Sequence, residues 1–213
     1  MTTDCRGERR WDIRRVLDVV VAGSGLVAAA PLLAVVAVMV RRESGGPVLF
    51  RQERLGRDRE PFVLLKFRTM RHGCDDGAHR ALIAAELRGE DTSSGGSWKI
   101  DDDPRVTRVG AWLRRTSLDE LPQLVNVLHG EMTLVGPRPC LAWEADMFPA
   151  EYASRFQVRP GLTGLWQVRG RSTLGTLDML RLDREYVRRR RLDRDLVILL
   201  ATVPALLRRD GAR

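Results

Sequence analysis

The chain has 213 residues and a formal net charge of +8, from 36 Lys and Arg against 28 Asp and Glu. This length suits one domain with a hydrophobic core and a small addition. The excess of positive charge favours anionic partners such as lipid headgroups, nucleotides or nucleic acid. The three cysteines and three histidines lack the spacing of metal ligands. This pattern argues against a Cys/His metal site and a disulfide framework, and it indicates a reducing compartment.

An apolar run without charges extends from Val19 to Val40, which is long enough to cross a bilayer. Arginines flank it on both sides, and the positive-inside rule therefore places both ends in the cytoplasm. Pro31 lies in the middle, where it removes a helical hydrogen bond and favours a kink. We therefore predict a re-entrant helix that bends at Pro31, and a straight span is the alternative. The Ser24 hydroxyl or a neighbouring helix is expected to satisfy the backbone group freed at the bend.

Two short strands are predicted after Gly45-Gly46-Pro47, which breaks the helical pattern. They cover residues 48–50 and 62–65, and the charged, turn-rich segment between them favours a hairpin. The second strand leads into Lys66, Arg68 and Thr69. Two cations and a hydroxyl at a strand end are suited to hold a phosphate. The alternative is a solvated basic edge strand.

Local patterns predict three further segments. Residues 75–88 are expected to form an amphipathic helix. A second helix is expected to open with Asp103 as N-cap and Pro104 as the first helical residue, and to continue through Val106 to Arg114. Residues 159–171 combine turn residues with arginines, which predicts a functional loop or, alternatively, a merely exposed basic loop.

The functional interpretation of the sequence depends mainly on the acidic pair Asp119 and Glu120. Apolar residues follow it at helical spacing and Gly130 supplies a stop, so a helix is predicted to begin at the pair. Either Asp119 is the N-cap, or Ser117 and Glu120 form a capping box. Both arrangements place the carboxylates at the positive end of a helix dipole, which favours their ionised form. An ionised Asp119 can be a nucleophile toward phosphorus or a ligand for a divalent cation, and the alternative is an ordinary helix cap.

The neighbours of this pair favour phosphate chemistry over a plain helix start. Arg114 and Arg115 precede it, and the rigid turn Gly136-Pro137-Arg138-Pro139 follows a strand-like run at residues 132–135. Carboxylates, arginines and a stiff turn together suit a phosphate-handling site.

The end of the chain repeats the membrane pattern on a shorter scale. A basic block at 188–191 precedes an apolar run from Leu196 to Leu207, which Pro204 interrupts. The run is too short to span a bilayer and predicts an amphipathic helix in the headgroup region, with a buried terminal helix as the alternative.

The predicted fold class is therefore α+β: a helix-dominated small globular domain with an N-terminal re-entrant, monotopic membrane helix and interfacial amphipathic helices. The predicted division is 1–44 for the membrane helix, 45–192 for the catalytic domain and 193–213 for the terminal helix.

Four motifs, in this order, resemble the bacterial sugar transferase family, the monotopic phosphoglycosyl transferases. They are KFRTM at 66–70, SLDELPQL at 117–124, GPRP at 136–139 and RPGLTG at 159–164. The resemblance extends from about Trp11 onward. It implies an enzyme of EC class 2.7.8 at the cytoplasmic face of the bacterial cell membrane. Such an enzyme moves a sugar 1-phosphate from a nucleotide diphosphate sugar, here a UDP-sugar, to polyprenyl (undecaprenyl) phosphate in glycoconjugate synthesis.

The resemblance also implies a two-step reaction. Asp119 attacks the sugar-linked phosphorus, nucleoside monophosphate leaves, and the lipid phosphate then takes the phosphosugar from the aspartate. Asp119 and Glu120 are the expected ligands of Mg²⁺, and Glu120 alternatively serves the acceptor step.

The implied substrate-binding set comprises Lys66, Arg68, Thr69, Arg114, Pro137, Arg138, Pro139, Arg159 and Gln167. Within this set Arg114 is expected to face the lipid phosphate, and three other cations are expected to face the nucleotide and diphosphate: Lys66, Arg138 and Arg159. The implied partners are the sugar nucleotide, the polyprenyl phosphate and an anionic phospholipid membrane. Nucleic acid is not expected, and a homodimer stays possible.

Two departures from the family pattern stand out. The helix break reads Ala30-Pro31 where the family typically has Ser-Pro, and Arg189-Arg190-Arg191 replaces an Asn-x-Ser-like segment.

Two other functions compete with the transferase. One is a non-catalytic basic protein that binds membranes or nucleic acid, and the other is a membrane-anchored aspartyl phosphatase, which would release inorganic phosphate.

Overall fold

The computed structural model describes residues 13–71, 77–88, 90, 105–170 and 174–207. The helices in this part of the chain are α1 (Ile13–Ser44), α2 (Gly77–Leu87), α3 (Arg108–Thr116), α4 (Gln123–His129), α5 (Ala142–Met147), α6 (Leu165–Arg169), α7 (Thr176–Arg188) and α8 (Leu192–Leu207). The strands are β1 (Leu49–Leu55), β2 (Pro61–Phe67), β3 (Thr133–Val135) and β4 (Gly161–Thr163). Short 3₁₀ segments occur at Arg57–Arg59, Leu118–Glu120 and Ala150–Gln157. The fold is thus helix-dominated α+β, as predicted.

Helix α1 has 32 residues and runs through Pro31 without interruption. Its length is about 48 Å at 1.5 Å per residue. Among the described residues, it is the one helix that is long and apolar enough to cross a membrane. The Ser24 hydroxyl donates to the carbonyl oxygens of Val20 and Val21 at 2.7 and 3.2 Å. Pro31 lacks the amide that would pair with the carbonyl of Val27, one turn earlier. Because the Ser24 hydroxyl donates to Val20 and Val21, the expectation that it serves this freed carbonyl is wrong.

Helix α1 is buried along one side only. Ala22 lies in a core with residues of β2, α4, β3 and α8, and Val36 and Val40 lie in a second core with Phe67 and Leu113. Other side chains of α1 are exposed and apolar: Ile13, Val16, Leu17, Val20, Val21, Val27, Leu32, Val35, Val38 and Met39. Helix α8 exposes a similar group, namely Leu196, Val197, Leu200 and Val203. These helices therefore offer apolar surface that a globular protein in water normally covers.

The N-terminal end of α1 is attached to the globular body by charged side chains. Arg14 forms an ion pair with Asp195 of α8 at 2.8 Å. Arg15 donates to the carbonyl oxygens of Val127 and Leu128 at 2.5 and 2.7 Å, where a cation satisfies the unpaired end of α4.

The C-terminal end of α1 is attached to the same body. The Glu43 carboxylate accepts hydrogen bonds from the backbone amides of Arg108 and Val109, both at 2.9 Å. It thus serves the first turn of α3, which has free amides there. Both ends of a helix about 48 Å long therefore contact a single globular unit.

Strands β1 and β2 form the predicted antiparallel hairpin, with a register from Leu49↔Phe67 to Leu55↔Pro61. The hairpin is confirmed, but its strands are longer than predicted, because most of the charged segment after Phe50 pairs with β2. Asp58 and Arg59 form the tight connection with positive φ angles of 54° and 62°. Side chains of directly paired residues share a face, which places Lys66 beside Phe50.

Strands β3 and β4 are parallel, with Thr133 opposite Gly161 and Val135 opposite Thr163. The prediction that residues 159–171 form a loop is therefore wrong, because this segment contains β4 and α6. A strand of three residues has too few positions to show alternation, and its pairing depends on a distant segment. Parallel strands present their carboxyl ends at the same edge, so the turn after β3 lies beside α6.

The helix that carries Arg114 begins later than predicted. Thr107 is its N-cap, and its hydroxyl accepts from the amide of Gly110 at 2.9 Å. Val106 forms a β-bridge with Met70, which excludes it from the helix. Asp103 and Pro104 lie outside the described residues. Helix α2, by contrast, agrees with its prediction within two residues.

The acidic pair precedes a helix but does not cap it. Ser117 ends α3 in the left-handed conformation with φ +55°, and its side chain makes no capping hydrogen bond. Asp119 and Glu120 then occupy a single 3₁₀ turn, and α4 begins at Gln123. Both predicted registers are therefore wrong, and the helix-dipole argument for Asp119 no longer applies. The predicted stop at Gly130 is confirmed, with φ +84°.

Candidate active site

Lys66 lies at the centre of a largely buried group of charges. Burial lowers the pKa of its ammonium, the cations of Arg54, Arg138 and Arg114 act in the same direction, and the Asp119 carboxylate opposes them, with a resulting pKa of about 8. The Lys66 Nζ also lies 5.0 Å from the centre of the Phe50 ring. Residues from β1, β2, α3, the 3₁₀ turn and the loop after β3 therefore share one electrostatic environment.

Arg114 is held in this environment by Thr69. The Arg114 Nε donates to the Thr69 hydroxyl at 3.0 Å, and Thr69 is buried. A Cβ on Gly110 would lie 2.0 Å from the Thr69 carbonyl oxygen. Glycine is therefore required where α3 crosses the end of β2. Thr69 and Arg114, which were predicted from separate segments of the sequence, are therefore in contact.

Arg138 is placed by the contact between two glycine-containing turns. The Gly136 amide donates to the Thr163 carbonyl at 2.9 Å, and the Gly161 amide donates to the Pro137 carbonyl at 2.8 Å. The Arg138 guanidinium lies 5.9 Å from the ring centre of Trp166 on α6. Arg138 therefore lies at the shared edge of β3 and β4.

The two prolines of the turn contact the protein through their carbonyl groups. Pro137 accepts from Gly161, as described above, and the Pro139 carbonyl lies 3.4 Å from Arg54 Nη1. These contacts fix the backbone on both sides of Arg138. They give the prolines a role in the shape of the turn.

A buried ion pair holds the backbone carbonyl of Arg138 in place. Arg155 Nη2 donates to the Arg138 carbonyl at 2.7 Å and lies 3.0 Å from Asp183 Oδ2. Both side chains of the pair are 2% exposed. Burial raises the pKa of Asp183 to about 6, although the guanidiniums of Arg155 and then Arg138 oppose this shift. The ion pair was not predicted, because neither residue lies in a motif and only the folded chain brings them together.

Arg54 is a second residue that sequence reasoning missed. It is buried, its charge acts on Lys66, and its Nη1 lies 3.5 Å from Glu144 Oε2. A signal for it exists in the alternation of Phe50, Gln52 and Arg54 along β1. The predicted strand ended at Phe50, so this alternation was not followed.

Two predicted cations have different surroundings. Burial lowers the pKa of the Arg159 guanidinium, and the charges that act on it most strongly are those of Arg15, Arg57, Asp18 and Arg190. None of these four is among the charges that act on Lys66.

Arg68 faces the C-terminal end of α1. Its Nη1 would lie 2.0 Å from a Cβ on Gly46, and it lines an open groove of about 680 Å³ with residues 47–51. Arg68 and Arg159 thus belong to two other surfaces beside the Lys66 group.

The remaining predicted residues are the carboxylates and Gln167. Asp119 is buried with 9% exposure, and Glu120 beside it is half-buried. Within the described ranges, no group of three or more His, Cys, Asp or Glu side chains is close enough to hold a metal ion. Gln167 lies on α6 next to Trp166.

Comparison with known proteins gives a consistent result. The sequence model described as "Bacterial sugar transferase" matches residues 9–209. The UDP-glucose:undecaprenyl-phosphate glucose-1-phosphate transferase of Caulobacter vibrioides is 47% identical over 207 residues, which cover 93% of this chain and 71% of that protein. The exopolysaccharide production protein ExoY of Sinorhizobium fredii is 37% identical over 203 residues, or 93% and 87% of the two chains. The undecaprenyl-phosphate galactose phosphotransferase of Salmonella typhimurium is 38% identical over 204 residues, but the match spans only 41% of its length.

The lowered pKa of Lys66 predicts how stability depends on pH. Between about 8, the folded pKa, and the ordinary value of 10.5, the unfolded chain binds more protons, so the free energy of unfolding rises with pH. We expect Lys66→Met to be more stable than the wild type at pH 7 and to lose this advantage by at most about 1.4 kcal/mol per pH unit above pH 8.

Thermal unfolding in detergent micelles, followed by tryptophan fluorescence from pH 7 to pH 10, measures this difference. Unfolding temperatures that stay equally far apart at every pH would contradict the assignment of a lowered pKa to Lys66.

Proposed function

This chain belongs to the bacterial sugar transferase family, and we propose that it transfers a sugar 1-phosphate from a UDP-sugar to undecaprenyl phosphate. The reaction belongs to EC class 2.7.8 and serves exopolysaccharide or capsule synthesis. The observation that carries the proposal is the group of cations around Lys66 and Asp119. Phosphoryl transfer depends mainly on positioning and on neutralising negative charge, and this group supplies both. The printed names of the relatives point to the same donor and acceptor.

The proposed chemistry has two displacement steps at phosphorus. A carboxylate oxygen of Asp119 forms a bond to the sugar-linked phosphorus, and the bond from that phosphorus to the nucleoside monophosphate oxygen breaks. A phosphate oxygen of the lipid then attacks the same phosphorus, and the carboxylate leaves. Lys66 and Arg138 neutralise the donor diphosphate, and Arg114 neutralises the lipid phosphate. Thr69 and the rigid proline turn support these positions.

Asp119 and Glu120 are also the proposed ligands of Mg²⁺. Mg²⁺ is commonly bound by one or two carboxylates together with substrate phosphates and water. The metal-binding groups here fit this pattern, since Asp119 and Glu120 are adjacent carboxylates with hard oxygen atoms. The described residues contain no larger ligand cluster. When bound, the ion supplies additional positive charge against the diphosphate. The proposed Mg²⁺ site therefore has its full set of ligands only when the phosphates of the nucleotide sugar are bound.

The membrane arrangement is proposed to be monotopic, with α1 inserted from the cytoplasmic face. A helix that crosses the bilayer places its ends on opposite sides of a hydrocarbon layer about 30 Å thick. Here Arg14 binds α8 at one end, and Glu43 binds α3 at the other end. These contacts favour both ends on one side of the membrane, where the donor is dissolved. The apolar faces of α1 and α8 then face lipid, and the basic residues face anionic headgroups.

The first test of the proposal is Asp119→Asn. The amide cannot act as the nucleophile, so release of UMP and formation of lipid-linked phosphosugar should fall by at least about 10³-fold. Membranes are incubated with UDP-glucose, UDP-galactose and undecaprenyl phosphate, and both products are counted. Asp146→Asn, at an exposed position on α5, is the matched control. Turnover by Asp119→Asn at the wild-type rate would exclude the covalent step, and release of inorganic phosphate in place of UMP would indicate a phosphatase.

Removal of Mg²⁺ provides a second test. We expect EDTA to stop transfer and added Mg²⁺ to restore it, because the carboxylates and the diphosphate otherwise repel each other. The rate of UMP release is measured after dialysis against EDTA and again after titration with MgCl₂. An unchanged rate in EDTA would remove the metal from the scheme.

The position of the two ends of α1 can be measured by cysteine labelling. In a chain with Cys74 and Cys140 replaced by serine, the native Cys5 and an introduced Arg42→Cys report on opposite ends of the helix. We expect a membrane-impermeant maleimide to label both in inside-out vesicles and neither in right-side-out vesicles. Labelling of the two positions from opposite faces would establish a crossing helix.

A further inference from the structure

Within the described residues, the β1–β2 hairpin is a sheet of two strands, which leaves one edge of β2 without a strand neighbour. The side chain of Asn126, on α4, occupies this edge. Its Oδ1 accepts from the Leu65 amide at 3.0 Å, and its Nδ2 donates to the Val63 carbonyl at 2.7 Å. A carboxamide offers an acceptor and a donor side by side, so Asn126 pairs with this edge much as a third strand would.

The orientation of the Asn126 amide is set by its three partners. The Leu65 amide can only donate and therefore faces Oδ1, whereas the Val63 carbonyl and the Glu131 carboxylate accept and therefore face Nδ2. The distance from Nδ2 to Glu131 Oε2 is 2.7 Å. Asn126 itself is 1% exposed. The side chain therefore uses both N–H groups and its oxygen in a buried place, where loss of these bonds would leave buried backbone groups unpaired.

The two elements that Asn126 joins carry two groups of the candidate site. Lys66 lies in β2, one residue beyond the last contact with Asn126. Asp119 lies in the 3₁₀ turn before α4. Backbone hydrogen bonds continue from this turn into the helix, from Leu121 to Leu118 at 3.3 Å and from Leu124 to Leu121 at 3.1 Å. The turn and α4 therefore form one hydrogen-bonded unit, and Asn126 attaches this unit to the strand of Lys66.

Apolar packing alone does not fix the register between α4 and β2. Leu124 of α4 lies in one core with Phe62 and Leu64 of β2, and such contacts are non-directional. Hydrogen bonds have preferred distances and angles, so the Asn126 amide determines which residues of β2 lie opposite α4. Successive side chains of a strand point to opposite faces, and a slip by one residue would therefore move Lys66 to the other face.

We propose that Asn126 is a positioning residue for the transfer reaction, because its amide holds Lys66 at a set place relative to Asp119. Asn126 acts through the backbone of β2 and does not itself touch the donor. This inference rests on the proposed function, which assigns Lys66 to the donor diphosphate. A positioning role changes the surroundings of Lys66 in the folded enzyme, whereas a merely structural role changes only the fraction of enzyme that is folded.

The kinetic test compares Asn126→Ala with Ile198→Ala. Ile198 is buried in the same core but lies on α8, so it is the matched control for loss of stability. We expect Asn126→Ala to lower kcat/KM for the UDP-sugar by about 10- to 100-fold, mainly through a higher KM, because a displaced Lys66 neutralises the diphosphate less well. Ile198→Ala should keep the wild-type KM, because loss of folded enzyme lowers only the apparent kcat. An unchanged KM in Asn126→Ala would overturn the proposal.

A second measurement needs no turnover. The sequence contains two lysines, Lys66 and Lys99, so Lys99→Arg leaves a single lysine signal. In this background, the pKa of Lys66 is read from the NMR signal of ¹³Cε-labelled lysine from pH 7 to pH 11. We expect a pKa of about 8 with native Asn126, and a pKa closer to 10.5 in Asn126→Ala, where a displaced Lys66 gains water. Ile198→Ala should match the reference, and the same pKa with and without Asn126 would contradict the positioning role.

Glu131→Ala carries the test if Asn126→Ala does not fold. Glu131 is half-buried, and its replacement frees one N–H of Asn126 but keeps the two bonds to β2. We expect KM for the UDP-sugar to rise by about two- to fivefold, the effect of one hydrogen bond, and the pKa of Lys66 to rise with it. No change in either quantity would overturn the proposal.

Failure of the proposed function is recognised separately. If the wild type releases no UMP from any UDP-sugar, the proposed function fails. The pKa of Lys66 in the presence and absence of the Asn126 amide then decides by itself whether Asn126 positions Lys66.

Discussion

The candidate active site contains more positive than negative charge in surroundings that are largely shielded from water. Lys66 lies with three arginines and one nearby carboxylate, and burial together with these cations lowers the pKa of its ammonium to about 8. Like charges repel more strongly when water is excluded, so this group of cations lowers the stability of the folded chain. An anion that enters with two phosphates removes this repulsion. Under the proposed function, the same arrangement supplies binding energy for a diphosphate and for the charge that develops during transfer.

Helix α1 is part of the support for this site. Arg15 binds the end of α4, which follows the acidic pair, and Glu43 binds the start of α3, which carries Arg114. Thr69 then fixes the Arg114 side chain from β2. The elements that hold the proposed reacting groups are thus attached to both ends of α1. Contacts with this helix therefore help to set the relative positions of these groups.

Much of the architecture could be predicted from local sequence. The hairpin, α2, the strand after Gly130 and the stop at Gly130 each have turn or periodic signals within a short window. The errors occurred where a distant contact decides the local structure. Val106 leaves the helix because it pairs with Met70, and β4 exists because it pairs with β3. Ser117 turns left-handed because α3 ends there, so its hydroxyl never reaches the predicted cap.

The same distinction applies to the site. Five residues predicted from the sequence lie together in the fold: Lys66, Thr69, Arg114, Asp119 and Arg138. Arg54 was missed because its strand was cut short, and the ion pair of Arg155 and Asp183 was missed because it acts on a backbone carbonyl. A motif records the groups that face a substrate more readily than the groups that hold them from behind.

The crossing of Gly136 and Gly161 has a consequence for the evolution of this chain. A Cβ on Gly136 would lie 2.6 Å from the Arg159 carbonyl oxygen, and a Cβ on Gly161 would lie 2.0 Å from the Gly136 nitrogen. The obstacle in each case is main chain, which no amino-acid replacement elsewhere can make smaller. A side chain at either position therefore requires the main chain of this crossing to shift. A lineage that replaces one of these glycines must alter the backbone of the turn as well.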